Sequence, residues 1–123
     1  IIFEQTGEYA KLVRFPGGSS NTVSHFNPGI MTRLTNDLND MGYAYFDWNV
    51  SAADTASDAT RYAVIENFKE SVPKHDYSVV LQHDTNAFSV DAVEEILSWG
   101  IKNGYSFRAL DLTSPAVHHS VAN

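Results

Sequence analysis

Val79-Val80-Leu81-Gln82-His83-Asp84 is the stretch on which the reading of this chain turns. An apolar run rich in β-branched residues, stopping on an imidazole and a carboxylate and followed by Thr85-Asn86, predicts a buried parallel strand that ends in a polar loop. His83 then stands where a sheet meets solvent. α/β folds collect catalytic groups at that edge, because the strand fixes the backbone while the loop leaves the side chain accessible.

The flanking segments alternate helix and strand. Before the central run, Tyr62, Ile65, Phe68 and Val72 recur at helical spacing from a predicted N-cap at Asp58 until Pro73 ends the segment. After it, Ser89 is a predicted cap for a helix carrying Val90, Val93, Ile96, Leu97 and Ile101, with Asn103-Gly104 at its end. Residues 105–110 read as a last strand, followed by Asp111. Upstream, residues 43–50 are aromatic and β-prone and predict a strand, with 51–55 as its loop. Ile30, Met31, Leu34, Leu38 and Met41 mark an amphipathic helix closed by Gly42. Residues 11–14 read as a short strand broken by Phe15-Pro16-Gly17-Gly18, and residues 1–6 as the last turns of a helix stopped by Gly7.

The resulting order is strand, helix, strand, helix, strand, helix, strand with short connections, the pattern of right-handed crossovers and a parallel sheet. The joints Met41-Gly42-Tyr43 and Asn103-Gly104-Tyr105 look alike, as expected where Gly stops a helix and an aromatic opens a strand. Parallel strands bring Arg14, Trp48, Asp54, His83 and Asp111 toward one face of the sheet, although they are scattered along the chain.

Size and composition bound the function. With 123 residues, 43% of them hydrophobic, the chain is long enough for one core and too short for two domains, so residues 1–123 are expected to form a single domain or part of one. Eight Lys and Arg against fifteen Asp and Glu give a formal charge of −7, which repels phosphate backbones and makes nucleic acid an unsuitable partner. No Cys is present, which excludes a disulfide scaffold, a thiolate zinc site and a thiol nucleophile. No apolar run has the length of a membrane span. Because the chain begins on Ile1, a processed product or a fragment is expected.

The residues themselves leave several tasks open. A His-Asp pair at a strand end serves either a hydrogen-bonded structural histidine or an acid–base site. Arg14 suits a surface ion pair, but it directly precedes a Gly-Gly turn, whose bared N–H groups can stabilise an oxyanion or merely accommodate positive φ. Trp48 fits a core or a ligand wall. Asp47 and Trp48 are consecutive, so only one of them can face the core.

At these positions the chain resembles the polysaccharide deacetylases with a NodB-homology domain. Arg14, Pro16 and Gly18 match the family's third motif, an Arg-x-Pro-x-Gly turn, with Gly17 where many members carry an aromatic. The fourth motif is often Asp-x-x-Asp-Trp, and Ser51-Ala52-Ala53-Asp54-Thr55 keeps its last acid; Asp47-Trp48 matches by letters but lies within a predicted strand. Leu81 and His83 match the fifth motif, Leu-x-His. The family's first motif, with its aspartate base and aspartate ligand, and its second, with two metal-binding histidines, are not found. His25, His75, His118 and His119 lack that spacing, and the adjacent C-terminal pair reads as a solvated tail.

The resemblance implies the C-terminal portion of a distorted (β/α) barrel, and metal-dependent N-deacetylation of N-acetylglucosamine units in peptidoglycan or chitin-like polymers. It implies a divalent cation, zinc by expectation, whose ligands lie outside this chain. His83 would protonate the departing amine, Asp54 would orient His83 and favour its charged form, Arg14 would hold the absent base, and the Gly17 N–H would donate to the oxyanion. Leu81 and Trp48 would wall the acetyl group, with Pro16 and Gly18 shaping the turn against substrate. An extracellular or cell-envelope location follows from where such polymers lie. Two alternatives stand beside this reading: a glycoside hydrolase using Asp47, Asp54 or Asp84, and a non-catalytic glycan-binding domain. The expected partners are the polysaccharide, the N-terminal remainder of the domain, or a second copy joined through an open sheet edge.

Overall fold

The computed structural model describes residues 1–123. Its elements are α1 (Ile2–Thr6), β1 (Leu12–Val13), α2 (Ile30–Asp40), β2 (Ala44–Tyr45), β3 (Val50–Ser51), α3 (Arg61–Ser71), β4 (Val80–Leu81) and α4 (Ala87–Lys102), with short 3-10 turns at Thr22–His25 and Val72–Lys74. They form two compact units, one of Ile1–Asp47 with Leu110–Asn123 and one of Trp48–Ala109. No helix is long and apolar enough to cross a membrane.

In the first unit, β1 and β2 pair in parallel with Leu12 opposite Ala44 and Val13 opposite Tyr45, and α2 makes the crossover between them. Parallel strands require such a connection, since a hairpin turn cannot reverse the chain twice. Met31 and Thr35 are the buried positions of α2, four residues apart and so on one face. In the second unit, β3 and β4 pair in parallel with Val50 opposite Val80 and Ser51 opposite Leu81, and α3 is the crossover. Val50, Ala52, Val64, Ile65, Phe68, Val72, Ala92 and Ile96 form its core. Each of the larger of these side chains contributes about 1.5–3 kcal/mol by leaving water.

The two similar helix ends have the same geometry. Gly42 and Gly104 adopt φ of 73° and 85°. Tyr43 N–H donates to Leu38 O and Tyr105 N–H to Gly100 O, while Gly42 and Gly104 donate to Asn39 O and Ile101 O. This is the paired hydrogen-bond pattern by which a glycine in the left-handed region closes a helix.

Five expectations are corrected. Residues 43–50 are not one strand: β2 and β3 belong to different two-stranded sheets. Between them, Asp47 turns inward to accept backbone N–H groups, and the Asn49 side chain donates to Tyr77 O and accepts from Val79 N. These side-chain bonds stand beside backbone bonds from Phe46 N–H to Val13 O, Asp47 N–H to Val117 O and Asn49 N–H to Val79 O, so the backbone changes partners within the interval. The cap of α3 is Thr60, whose hydroxyl accepts from Ala63 N, and not Asp58; that of α4 is Asn86, and not Ser89. Residues 105–110 form no ladder. Phe107 instead seats its ring on Gly100, where an added Cβ would lie 2.5 Å from Phe107 Cζ, and stacks on Phe68 with centroids 6.4 Å apart. Finally, the C-terminal histidines are not a solvated tail. His118 stacks on Tyr45 at 3.9 Å and 7°, with Nε2 3.0 Å from Tyr45 O, and His119 N–H donates to Asp47.

Candidate active site

Within the Trp48–Ala109 unit, the structure brings Asp54 and His83 together. His83 is two residues beyond the end of β4, and Asp54 is three beyond the end of β3, so the parallel pairing delivers both to the same end of the sheet. The Asp54 carboxylate is buried, while the His83 side chain retains 30% of its exposure. Oδ1 lies 2.9 Å from His83 Nδ1, and Oδ2 accepts from His83 N–H at 2.6 Å. Ser89 Oγ donates to the same Oδ2 at 2.6 Å, and Asn86 Nδ2 donates to Asp54 O at 2.9 Å.

Burial pushes the Asp54 carboxyl up. The hydrogen bonds from Ser89 and from the His83 ring and backbone, with the charge of His83, outweigh it and hold the group below its ordinary value. Asp54 is therefore an anion at neutral pH. An anion on Nδ1 selects the tautomer with its proton there, so proton exchange with a ligand falls to Nε2.

Ser89 and Asn86 are members of this cluster that sequence reasoning did not assign to it. Asn86-x-x-Ser89 offers two cap-type residues three apart. Once Asn86 occupies the cap, Ser89 lies in the first turn of α4 with its hydroxyl released for Asp54. Gln82 adds a bond of 2.6 Å from its Nε2 to Ser89 O. Leu81 is half-buried in β4, its carbonyl accepting from Ala52 N–H, and Trp48 is half-buried ahead of β3. Asp84 is exposed.

The other predicted residues lie in the unit of Ile1–Asp47 with Leu110–Asn123. Arg14 is exposed, with Nη1 3.3 Å from Phe15 O. Pro16 and Gly17 are exposed and Gly18 is buried; the two glycines have φ of 72° and 78°, a region that glycine enters at no steric cost. Gly18 N–H donates to Phe15 O at 2.9 Å and Ser19 N–H to Asp47 Oδ1 at 2.7 Å; the Gly17 N–H is used in neither bond. Asp111 has a local task, accepting from Thr113 N–H and Oγ1 at 2.7 Å. No group of three or more His, Cys, Asp or Glu side chains is placed to hold a metal ion. The residues present thus do not make up the metal centre that the resemblance implies.

A parallel α/β fold carrying a carboxylate-supported histidine at a strand end has the arrangement that acid–base chemistry can use. Comparison with known proteins makes the class specific. No protein-family model matches the chain. It is 29% identical over 118 residues to YheN of Bacillus subtilis, which carries a polysaccharide deacetylase name, and 31% identical over 114 residues to a peptidoglycan-N-acetylglucosamine deacetylase of Bacillus cereus. These alignments cover 92% and 89% of this chain and 39% of each relative. Among solved structures, the catalytic domain of a peptidoglycan N-acetylglucosamine deacetylase from Eubacterium rectale matches with a TM-score of 0.95 and 51% identity, over 99% of this chain and 56% of that one. A polysaccharide deacetylase of Bacillus cereus matches with a TM-score of 0.69 and 28% identity, over 94% and 55%. The chain is a relative of the polysaccharide deacetylases and has the α/β fold of part of their catalytic domain. It spans about two fifths of the length of the curated relatives it matches.

Proposed function

We propose that this chain serves a polysaccharide deacetylase that hydrolyses the acetamide of N-acetylglucosamine units in a peptidoglycan-like polymer. The observation that carries the reading is the Asp54–His83 pair, 2.9 Å apart at the end of a parallel strand pair. Amide hydrolysis needs a proton for the departing amine, because an amide anion is far too basic to leave. An imidazolium whose Nδ1 side is held by a carboxylate offers that proton from Nε2, and general acid catalysis of this kind contributes about 10²–10⁴-fold. Asp54 orients the ring by holding its Nδ1 side at 2.9 Å.

The remaining roles follow from the same chemistry. Gly17 N–H donates to the oxygen that becomes negative in the tetrahedral intermediate. The exposed Arg14 holds a carboxylate base supplied from outside this chain, keeping it ionised and oriented. Leu81 and Trp48 line the acetyl pocket. Dependence on a divalent cation held by residues outside this chain belongs to the reading, as does an extracellular or cell-envelope site, where such polymers are found. The substrate names of the Bacillus cereus and Eubacterium rectale relatives favour N-acetylglucosamine in peptidoglycan over other acetylated sugars.

The test is acetate release from N-acetylglucosamine oligomers by the complete protein, with and without chelation and with His83→Ala. The expected result is acetate release that is lost on chelation and lowered about 10²-fold or more by the substitution. Undiminished release from the variant would overturn the role of His83. New reducing ends in place of acetate would favour glycoside hydrolysis.

A further inference from the structure

The roles above leave one buried carboxylate without a task. Asp47 is 1% exposed, yet no Lys or Arg pairs with it. Its charge is met by three donors: Ser19 N–H on Oδ1 at 2.7 Å, and Ser19 Oγ and His119 N–H on Oδ2 at 2.5 and 2.8 Å. Its own N–H donates to Val117 O at 2.8 Å. Burial of an isolated anion is costly, and an apolar residue would fill the same volume without that cost. What the carboxylate alone can do is accept from several N–H groups at once.

Two of those three donors belong to Ser19, the residue immediately after the Gly17–Gly18 turn. Upstream, the turn is closed by Gly18 N–H on Phe15 O at 2.9 Å; downstream, Asn21 N–H returns to Gly18 O at 3.2 Å. Both glycines sit at positive φ, where no side chain restricts the backbone; the Gly17 N–H belongs to the Pro16–Gly17 peptide, whose Pro16 O accepts from Asn21 Nδ2 at 3.4 Å. Asp47 supplies a second fixed point, at Ser19, two residues beyond Gly17. It is anchored in turn by β2, two residues upstream, and by the 117–119 segment.

We propose that Asp47 is a positioning residue for the oxyanion-binding turn: through Ser19 it sets the orientation of the Gly17 peptide and aims its N–H at the reacting acetamide oxygen. The inference rests on the deacetylase reading. An N–H that is preset before reaction stabilises the developing charge without reorganising, whereas a mobile one contributes less. The contact strengthens as charge develops, so its loss lowers kcat and spares KM.

The experiment is Asp47→Asn in the complete protein, assayed for acetate release from N-acetylglucosamine oligomers at a temperature where circular dichroism shows the variant folded. The amide keeps the size of the carboxylate but turns one acceptor into a donor, leaving one of the three donors without a partner. Removing an oxyanion donor outright lowers rates about 10²–10³-fold, so displacing one should lower kcat about 10- to 100-fold, with KM within about twofold. Ser19→Ala, which removes one donor and keeps both N–H bonds, is the milder probe and should lower kcat about two- to fivefold at unchanged KM. A merely structural Asp47 would lower the melting temperature and leave kcat per folded molecule unchanged. That result, or a rise in KM alone, would overturn the inference while leaving the deacetylase reading intact. A wild-type protein that releases no acetate would overturn the reading itself.

Discussion

Ser89→Ala isolates the bond that most directly supports the Asp54 carboxylate. Ser89 is fully buried, and its Oγ lies 2.6 Å from Asp54 Oδ2, an oxygen that also accepts from His83 N–H. Hydrogen bonds to a charged group contribute about 1.5–3 kcal/mol, and the cavity left by a hydroxyl is too small to add much. Because Oδ2 keeps its second donor, the lower half applies, and the substitution should cost about 1.5–2 kcal/mol at pH 7. The pH dependence identifies the cause. Folding lowers the Asp54 carboxyl below its ordinary value, so the stability it contributes is fully present above about pH 4 and is lost as pH falls through the folded-state value. Ser89 supplies part of that lowering. The gap between wild type and variant, read from urea midpoints at constant m-value, should therefore be widest at pH 7 and narrow below about pH 4. A gap of the same size across that range would mean that Ser89 acts through packing, and no gap at pH 7 would remove Ser89 from the cluster.

Other outcomes follow from single contacts. Gly17→Ala places a Cβ 3.2 Å from Asn21 Cβ at φ +72°, so it should destabilise by about 1–2 kcal/mol and lower kcat for acetate release more than it changes KM, as kinetics on the folded variant would show. Asn49→Ala removes a bond to Tyr77 O and one from Val79 N–H, both 2.8 Å; thermal unfolding should show a loss of about 1–3 kcal/mol. Two-stranded sheets with open edges and exposed Ile1, Phe26 and Ile101 predict that the isolated 123-residue chain self-associates; sedimentation as a clean monomer at micromolar concentration would contradict this.

The helices were the most legible part of the sequence, because their period is written in local apolar spacing. Met31 and the Gly42 stop located α2, and Ile96 with Gly104 located α4. Strand limits were less legible. Residues 43–50 are β-prone throughout, but the ladder fails where Asp47 and Asn49 take backbone partners from segments distant in sequence, which no local pattern encodes. Tyr105 and Phe107 have strand propensity and no strand beside them, so tertiary contact with Gly100 and Phe68 decides their course. Of the site, His83 was visible as a polar stop to an apolar run. Its pairing with Asp54, 29 residues away, was indicated by the family motifs and not by composition or period. Ser89 was misread because a serine near a helix start has two possible acceptors, the helix backbone or a neighbouring side chain, and only the fold chooses between them.

Phe107 resting on Gly100 gives this molecule a built-in latch that can be read optically. Phe107 is 42% exposed, and where its ring meets α4 it occupies the space of a missing methyl group. Gly100→Ala would evict it without touching any strand pairing, so the 105–109 stretch could be unfastened while the Asp54–His83 cluster stays assembled. Trp99 lies beside that stretch, stacked on Tyr105 at 5.6 Å, and its fluorescence would report the release. The same indole would then distinguish local opening of this segment from unfolding of the whole unit, two events that a midpoint alone reports as one.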